Sequence, residues 1–490
     1  MTSQPECRRG IERRLVEVAK QSNRISLDVP SFARWPRLIR DPEPDKRHGA
    51  DQLQRRLGVS VLCSPDVVVT TRPPALFGPY LVRLGRLGMA RAGRRGAPSL
   101  AVLVPSAGPV DQFLARETAY LTGAPVEEAR IDPDNVEVFL QHLRCASFEL
   151  PFGHGDGFGG VDAETVGEAL GLLSDEGLVH RAATRWQWVA GQYPAGGVSL
   201  RSVGADNVLI VDASRDETLA EMDGRASRVQ LHPGAIYQHD GSTWIVDAID
   251  EAARKVLVRP SPHDWFTEPL TRVDVAVVEE SARAPLHGDG SAACGHGEVT
   301  VTTRLVGWKK IRFHTHENLG YGELEAPPVE MQTGAFWLTL DESVVTSLAA
   351  TPDDLGAPAG RARVLDGLRG VAWALRSVAS LALMCAPQDL DTTLGGRADD
   401  GDVPVRDETV GAGMSPTVFL YDAAAGGVGL AERAFERRDE IAARACGMVL
   451  SCPCNDGCPA CVAPGLDTGA AGRKRMALAI FEALGTTAPV

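Results

Sequence analysis

Four cysteines lie close together near the C-terminal end of the chain, and this cluster constrains the fold more than any other feature. They follow the spacing C-x-C-x₃-C-x₂-C and are Cys452, Cys454, Cys458 and Cys461. Four thiolates at this spacing can bind one tetrahedral ion at about 2.3 Å each. Pro453, Gly457 and Pro459 favour the tight turns that point the sulfurs inward. The cluster predicts one structural zinc ion with no open position for a catalytic water.

Other interpretations of the four cysteines stay open at this point, namely reduced or redox-active thiols or an iron–sulfur cluster. The N-terminal segment is polar, without a secretory hydrophobic region, and no apolar run approaches the roughly 20 residues that cross a bilayer. We therefore expect a cytoplasmic protein with reduced thiols and no membrane contact. Cys294, His296 and the nearby His287 lie in a Gly/Ala-rich segment, and we do not expect them to bind metal.

The chain is acidic, with a formal net charge of −14 over 490 residues. This charge argues against a general polyanion-binding surface but is compatible with a local basic groove. One basic stretch stands out among Gly, Leu and Ala residues, and it contains Arg83, Arg86, Arg91, Arg94 and Arg95. A solvated basic helix is the alternative interpretation. The length predicts two to four domains.

The N-terminal half contains the pattern of a winged helix. Residues 98–104 form an apolar run that predicts a buried parallel strand, and residues 110–149 are predicted to be helical. Apolar spacing after Asp162 predicts a helix that ends at Gly177. An aromatic hairpin over 178–189 follows and completes the pattern. Winged helices also occur without nucleic-acid contact, so both roles stay open.

Strand patterns predominate between residues 198 and 280, and His239–Ser242 has the composition of a tight hairpin turn. Two further strands are expected at 298–305 and 310–315, on either side of Gly307-Trp308. We expect these segments to form a small barrel or open sheet that serves as a scaffold. Helices are expected over 343–385.

A buried strand over 417–422 and a turn at 425–429 are expected to precede a helix over 430–450 that leads to Cys452.

From about residue 84 onward, the chain resembles the C-terminal portion of the MrfA-like superfamily 2 DNA helicases, which are related to RecQ-like repair helicases. The segments that carry this resemblance follow in the family's order, and they are 90–104, 132–151, 231–237, 265–270, 309–313, 421–429 and the four cysteines.

The resemblance implies a multidomain protein of mixed α/β and α+β class. Its parts would be a partial RecA-like remnant, a winged helix, a small β module and a zinc-binding α/β C-terminal domain. The expected domains are a truncated or degenerate second RecA-like motor domain at 1–108, a helical linker and winged helix at 109–195, the β module at 196–282 and the zinc-binding domain at 283–490.

The resemblance also implies that Arg91 and Arg94 occupy motif VI, whose arginines approach the γ-phosphate of ATP. That motif would be vestigial here. A phosphate-binding loop needs G-x-x-x-x-G-K-[ST], yet no lysine of this chain follows a glycine or precedes a serine or threonine. An Asp-Glu-Ala-His box is absent as well. We therefore predict no catalytic residues and no ATP hydrolysis without a partner motor domain.

Two functions follow. The first is a zinc-binding, DNA-binding C-terminal half of a repair helicase, acting as a remnant or as an accessory subunit to an ATPase. Its expected DNA contacts are Arg83, Arg86, Arg95, Trp186 and Trp188. The alternative is a non-catalytic protein-interaction scaffold of a repair or phage-defence complex, which the acidic net charge favours.

Overall fold

The computed structural model describes most of the chain from residue 135 onward and short stretches before it. The described residues are 60–63, 67–71, 100–104, 108–116, 135–198, 207–287, 292–313, 315, 317–324, 326–352, 359–397, 415–463 and 472–486. The described strands before Pro105 belong to one compact unit, and the described residues from Gly108 onward belong to a second.

The first unit contains a three-stranded sheet of β1 (Ser60–Cys63), β2 (Val67–Thr71) and β3 (Leu100–Val104). β1 and β2 are antiparallel, whereas β2 and β3 are parallel. The parallel pairing of β3 confirms the expectation of a parallel strand within residues 98–104. The second unit begins with the helix α1 (Pro109–Arg116).

A winged helix follows, built from two helices and a three-stranded sheet with the strand order β4-β6-β5. Its elements are α2 (Val136–Glu149), β4 (Phe152–Gly153), α3 (Ala163–Asp175), β5 (Val179–Arg181) and β6 (Arg185–Trp188). The expected helix after Asp162 and the aromatic hairpin are both confirmed.

Helical periodicity explains the core of the winged helix. Val166, Leu170 and Leu173 recur at positions that share one face of α3, and all three are buried. Asp162 starts the helix because its carboxylate accepts hydrogen bonds from the backbone N–H groups of Glu164 and Thr165. Gly177 lies just beyond the helix with φ +72°, a conformation that glycine adopts without strain.

The β module is a five-stranded sheet with the order β8-β7-β11-β10-β9. β7 and β11 are parallel, and the other neighbours are antiparallel. Asp240 and Gly241 both have positive φ in the two-residue turn between β9 and β10, as a type I′ hairpin requires. The elements are β7 (Val208–Asp212), β8 (Glu217–Met222), α4 (Gly224–Gln230), β9 (Ile236–His239), β10 (Ser242–Asp250) and β11 (Lys255–Pro260).

A second, larger sheet has the order β12-β13-β15-β17-β16, with β14 paired to β13. Its strands are β12 (Trp265–Pro285), β13 (Ala292–Arg312), β14 (Asn318–Glu323), β15 (Val329–Leu340), β16 (Leu390–Arg397) and β17 (Ser415–Asp422). The expected domain boundary between residues 282 and 283 falls inside β12, so this strand continues across it.

The expectation of two strands flanking Gly307-Trp308 is wrong, because β13 runs through both residues without a turn. Gly307 faces the backbone of β14, and a Cβ atom there would lie 2.7 Å from the carbonyl oxygen of Gly322. The ring of Trp308 lies against Gly322, where a Cβ atom would come within 2.2 Å of the ring. The glycines therefore permit close approach of neighbouring groups rather than a reversal of the chain.

Helices cover one face of the larger sheet and bury its apolar side chains. They are α5 (Glu342–Ala350), α6 (Arg361–Ala382), α7 (Leu430–Glu436), α8 (Arg438–Ser451) and α9 (Arg473–Ala483). α6 is central, since it packs against β16, β17, α8 and α9. Among the described helices, none is both long and apolar enough to span a membrane.

The single helix expected over 430–450 is two helices that meet at Arg437. The guanidinium of Arg437 pairs with Glu440 and donates a hydrogen bond to the carbonyl oxygen of Ala382 at the end of α6. The backbone of Arg437 departs from helical geometry, with φ −102° and ψ 19°. This contact with a distant helix accompanies a break that apolar periodicity does not reveal.

Asn135 joins the winged helix to the domain formed by the larger sheet and the helices that cover it. Its side-chain oxygen accepts hydrogen bonds from the N–H groups that begin α2, and its amide nitrogen donates to the carbonyl oxygens of Ala425 (2.7 Å) and Gly427 (3.1 Å). Asn135 is only 4% exposed. Glu137, two residues later, forms an ion pair of 2.8 Å with Arg225 of the β module. Three parts of the second unit thus meet at the start of α2.

Asn135→Asp should destabilise this junction. The carboxylate retains the helix cap but cannot donate to the two carbonyl oxygens, so two buried acceptors lose their partner. We expect a loss of about 2 kcal/mol or more in the free energy of unfolding, measured by thermal denaturation. Asp162→Asn makes the reverse exchange at the exposed cap of α3 and should leave the unfolding midpoint nearly unchanged. Equal midpoints for the two variants would contradict a joining role for Asn135.

Candidate zinc centre and nucleic-acid interface

The four cysteines converge in the loop that follows α8. Their sulfur atoms all lie within 4.8 Å of one another. The Sγ–Sγ distances are 3.5 Å for Cys452 and Cys458, 3.5 Å for Cys454 and Cys461, and 3.7 Å for Cys458 and Cys461. A tetrahedral zinc ion with bonds of about 2.3 Å separates its sulfur ligands by about 3.8 Å. The donor set and its spacing therefore fit one zinc ion.

The local sequence explains how the loop closes. Gly457 has φ +127°, and a Cβ atom there would lie 2.6 Å from the side chain of Val462. A glycine is therefore required at this turn. The N–H groups of Cys461 and Val462 both donate to the carbonyl oxygen of Cys458, at 3.0 and 3.1 Å. This turn brings the last two cysteines together.

Burial raises the pKa of the Cys461 and Cys458 thiols. Burial also acts on Cys452, but the backbone N–H of Cys454 and the neighbouring thiols outweigh it and lower the pKa of Cys452 to about 7. The metal-free cluster is therefore not fully ionised at neutral pH. Because zinc binds thiolates, metal binding would release protons from this cluster.

Lys474 of α9 holds the first part of the cysteine loop. Its ammonium group donates to the carbonyl oxygens of Cys452 (2.6 Å) and Cys454 (2.8 Å), and its side chain is buried. The positive charge beside four thiolates offsets the net negative charge of a four-cysteine zinc site. Sequence reasoning missed this residue.

Two further side chains fix the second part of the loop. The indole N–H of Trp373 on α6 donates to the carbonyl oxygen of Pro459 at 3.0 Å. Arg473 is buried, is paired with Asp366 of α6 and donates to the carbonyl oxygen of Val462 at 3.4 Å. The loop is thus attached to α6 and α9, and its geometry depends on both helices.

The other cysteine–histidine group of the sequence does not converge. Cys294 is fully buried in β13, and burial raises its pKa to about 12. His296 stacks on Phe435 with ring centroids 6.0 Å apart, and His287 contacts the hydroxyl of Thr486 at 3.0 Å. Within the described ranges, the four-cysteine cluster is the only group of three or more histidine, cysteine, aspartate or glutamate side chains that could hold a metal ion.

The predicted nucleic-acid contacts divide into two groups. Arg83, Arg86 and Arg95, together with the motif VI candidates Arg91 and Arg94, lie outside the described residues. Trp186 is 6% exposed in the core of the winged helix, and Trp188 is half-buried with its ring 6.2 Å from that of Phe148. Both tryptophans therefore pack against the protein, which leaves the ring of Trp186 little access to a nucleobase.

Two family models match the chain within the second unit. The MrfA Zn-binding domain matches residues 371–462, a range that includes all four cysteines. The winged helix domain of the ATP-dependent helicase HRQ1 matches residues 131–203. Both matches agree with the elements described above and with the resemblance drawn from the sequence.

The chain is also similar to part of two longer helicases. It is 33% identical over 384 residues to the uncharacterized ATP-dependent helicase YprA of Bacillus subtilis, covering 76% of this chain and 46% of YprA. It is 25% identical over 414 residues to the ATP-dependent helicase hrq1 of Schizosaccharomyces pombe, covering 83% of this chain and 36% of that protein. The chain thus spans less than half the length of these two relatives.

The fold is similar to a crystal structure of the DUF1998 helicase MrfA. The TM-score is 0.54 at 23% sequence identity, and the match covers 97% of this chain and 60% of the other. This likeness supports the fold described here. It agrees with the mixed α/β architecture of this chain.

Proposed function

We propose that this chain, which is similar to the C-terminal portion of the MrfA-like superfamily 2 helicases, binds DNA without hydrolysing ATP by itself. The observation that carries the proposal is the attachment of a winged helix, through Asn135, to the domain that contains the four-cysteine cluster. A winged helix is a common nucleic-acid-binding module. The cysteine cluster stabilises the domain to which this winged helix is attached.

The proposed zinc ion has a structural role. Four thiolates complete its coordination shell, so no position remains for a water molecule or a substrate. The ion would cross-link the loop after α8, which Lys474 and Trp373 attach to α9 and α6. The protein residues around the cluster therefore supply stability and geometry rather than acid–base chemistry.

ATP hydrolysis would require a motor domain that this sequence does not supply. The phosphate-binding loop and the acidic box of such a domain are absent from the sequence. Arg91 and Arg94 could act in motif VI only when another domain holds the nucleotide. We propose that the chain is the remnant or accessory half of a repair helicase, with Arg83, Arg86 and Arg95 as further DNA contacts.

The test measures DNA binding and ATP hydrolysis with the full chain. Fluorescence anisotropy with labelled single-stranded and duplex DNA should show binding that weakens steeply between about 50 and 200 mM salt. ATP hydrolysis should stay at background with and without DNA. Undetectable DNA binding at the lowest salt would contradict the DNA-binding role. Hydrolysis above background that survives further purification would contradict the non-catalytic role.

One observation favours the protein-interaction scaffold as a second candidate. Phe148, Leu150, Val189 and Tyr193 form an exposed apolar set on the winged helix, and Leu150 is 73% exposed. Exposed apolar patches often mark protein-binding surfaces. A scaffold role predicts that Leu150→Glu weakens binding to a purified helicase motor domain and that the chain has no affinity for DNA. Retained DNA binding with unchanged partner binding would exclude it.

A further inference from the structure

We propose that the hairpin formed by β5 and β6, rather than helix α3, is the part of the winged helix that contacts the phosphodiester backbone of DNA. The inference rests on the proposed function and assigns the surface that performs it. It follows from the opposite charge of these two neighbouring elements. In many winged helices either element can contact nucleic acid, so the charge distribution decides between them.

Helix α3 presents carboxylates and no cation. Its sequence contains neither lysine nor arginine, and the exposed ionisable side chains along it are acidic: Glu164, Glu168 and Asp175, followed by Glu176. Among the described residues, Glu176 alone of these four has an ion-pair partner, Arg144 at 2.9 Å. Helices that enter a DNA groove bring donors and positive charge to the phosphates and bases. The surface of α3 would instead repel a phosphate backbone.

The hairpin has the opposite character. Residues 178–189 contain no aspartate or glutamate, and His180, Arg181 and Arg185 are all exposed. Within the part of the chain that the structure describes, Arg181 and Arg185 form no ion pair. Arg259 of the β module, by contrast, forms an ion pair with Asp247 at 2.8 Å. The positive charge of Arg185 is therefore available to a ligand, whereas Arg181 lines a cavity together with Glu164 and Glu168 of α3.

The register of the hairpin places His180, Arg185 and Gln187 on one surface and Arg181 on the other, beside Trp186. His180 lies opposite Gln187, and Arg181 lies opposite Trp186. Because side chains alternate along a strand, burial of Trp186 places Arg185 and Gln187 outward, where both are exposed. His180 shares that outward face. The guanidinium of Arg181 lies 5.2 Å from the centre of the Trp186 ring, a cation–π contact that restricts its position at the edge of the hairpin.

The surface fits the backbone of DNA better than it fits the bases. Arginine and glutamine donors bind phosphate oxygens regardless of sequence. Trp186 is buried and Trp188 is half-buried against Phe148, so the aromatic rings of the hairpin leave little room for base stacking. We therefore expect binding without marked sequence preference. Each arginine that neutralises a phosphate adds about 0.7 to 0.9 to the slope of log affinity against log salt.

The test compares variants of the full chain by anisotropy with labelled DNA. Arg181→Ala/Arg185→Ala should weaken binding by about tenfold or more at low salt and reduce the salt slope by about 1.4 to 1.8. Arg215→Ala/Arg259→Ala is the matched control, since it removes the same charge from exposed positions of the β module. The control should change the affinity by less than about twofold.

Two additional variants keep the test valid if loss of Arg181 disturbs the packing of Trp186. Arg185→Glu alters an outward side chain and should weaken binding at least as much as Arg185→Ala. Glu164→Gln/Glu168→Gln removes two of the three carboxylates of α3 and should leave binding unchanged or slightly tighter. A large loss of affinity in this last variant would show that α3 contacts DNA and would overturn the proposal.

The outcomes separate this inference from the function on which it rests. If the unaltered chain binds DNA and the hairpin variants bind equally well, the hairpin assignment is wrong while the DNA-binding role stands. If the unaltered chain does not bind DNA, the proposed function itself fails. A labelled RNA of the same sequence offers the same phosphate chemistry, and tighter binding to RNA than to DNA would contradict the choice of DNA.

Discussion

Cys458→Ser is expected to unfold the helical layer of the C-terminal domain instead of lowering its stability slightly. Structural zinc sites contribute about 10–16 kcal/mol in zinc-finger peptides, which is comparable with the whole stability of a typical domain, about 5–15 kcal/mol. Cys461 and Val462 of the same loop are fully buried in a core that also contains Ile480 and Phe481. Loss of the metal would therefore reach the packing of α9.

Limited proteolysis and circular dichroism provide the measurement for Cys458→Ser. Cleavage should appear early in the region after β17, while fragments that contain the winged helix persist longer. Cys145→Ser is the matched control, because Cys145 is a free, half-buried cysteine of α2 far from the cluster in sequence. We expect the control to unfold at the temperature of the unaltered chain. Cys458→Ser with that same midpoint and protease resistance would refute the structural role of the cluster.

Lys474→Met is expected to have the second-largest effect. The substitution preserves much of the buried side-chain volume but removes the donor to the carbonyl oxygens of Cys452 and Cys454. Leaving buried acceptors unsatisfied costs about 1–3 kcal/mol for each group, so we expect a loss of about 3 kcal/mol in the free energy of unfolding. The missing charge should also weaken zinc binding. A chelator with a colorimetric zinc indicator should remove the metal faster from this variant.

Arg475→Met is the matched control for Lys474→Met. It removes one positive charge from the neighbouring position of α9, where the side chain is exposed. We expect the control to retain zinc as the unaltered chain does, and we expect Lys474→Arg to fall between the two. If Lys474→Met and Arg475→Met release zinc at the same rate, the lysine has no particular role at the cluster.

Much of the zinc centre was predictable from the sequence, because its ligands are contiguous. The spacing of the four cysteines and the turn at Gly457 both appear in the structure as expected. Lys474 was harder to find, since it reaches the loop from a separate helix. One signal was present: only 6 of the 50 basic residues are lysines, and this one stands between two arginines. A compact ammonium group fits between two carbonyl oxygens where a guanidinium is larger.

The fold was predictable where local periodicity determines it. The apolar spacing in α3 and the turn composition at His239–Ser242 gave the correct elements. The prediction of two strands flanking Gly307-Trp308 was wrong because glycine occurs both in turns and where a neighbouring strand packs closely. Only the position of the neighbouring strand distinguishes the two cases. The break at Arg437 depends on Ala382 in another helix, a contact that no local pattern encodes.

The alternation of residues in β6 distinguishes its inward side chains from its outward ones. Arg185 and Gln187 alternate with the two tryptophans, and a period of two residues places the tryptophans on one face of the strand and the polar side chains on the other. In a hairpin that packs on helices, the apolar face lies inward. The same pattern would have assigned Arg185 to the exposed face, where the structure places it.

Metal analysis of the purified full chain by native mass spectrometry tests the central claim most directly. The claim is that the four cysteines bind one zinc ion and that this ion stabilises the folded domain to which the winged helix is attached. We expect one zinc per chain, and we expect its removal by a chelator to lower the unfolding midpoint and increase protease sensitivity after β17. A metal-free chain that unfolds at the same temperature and resists protease equally would contradict the claim.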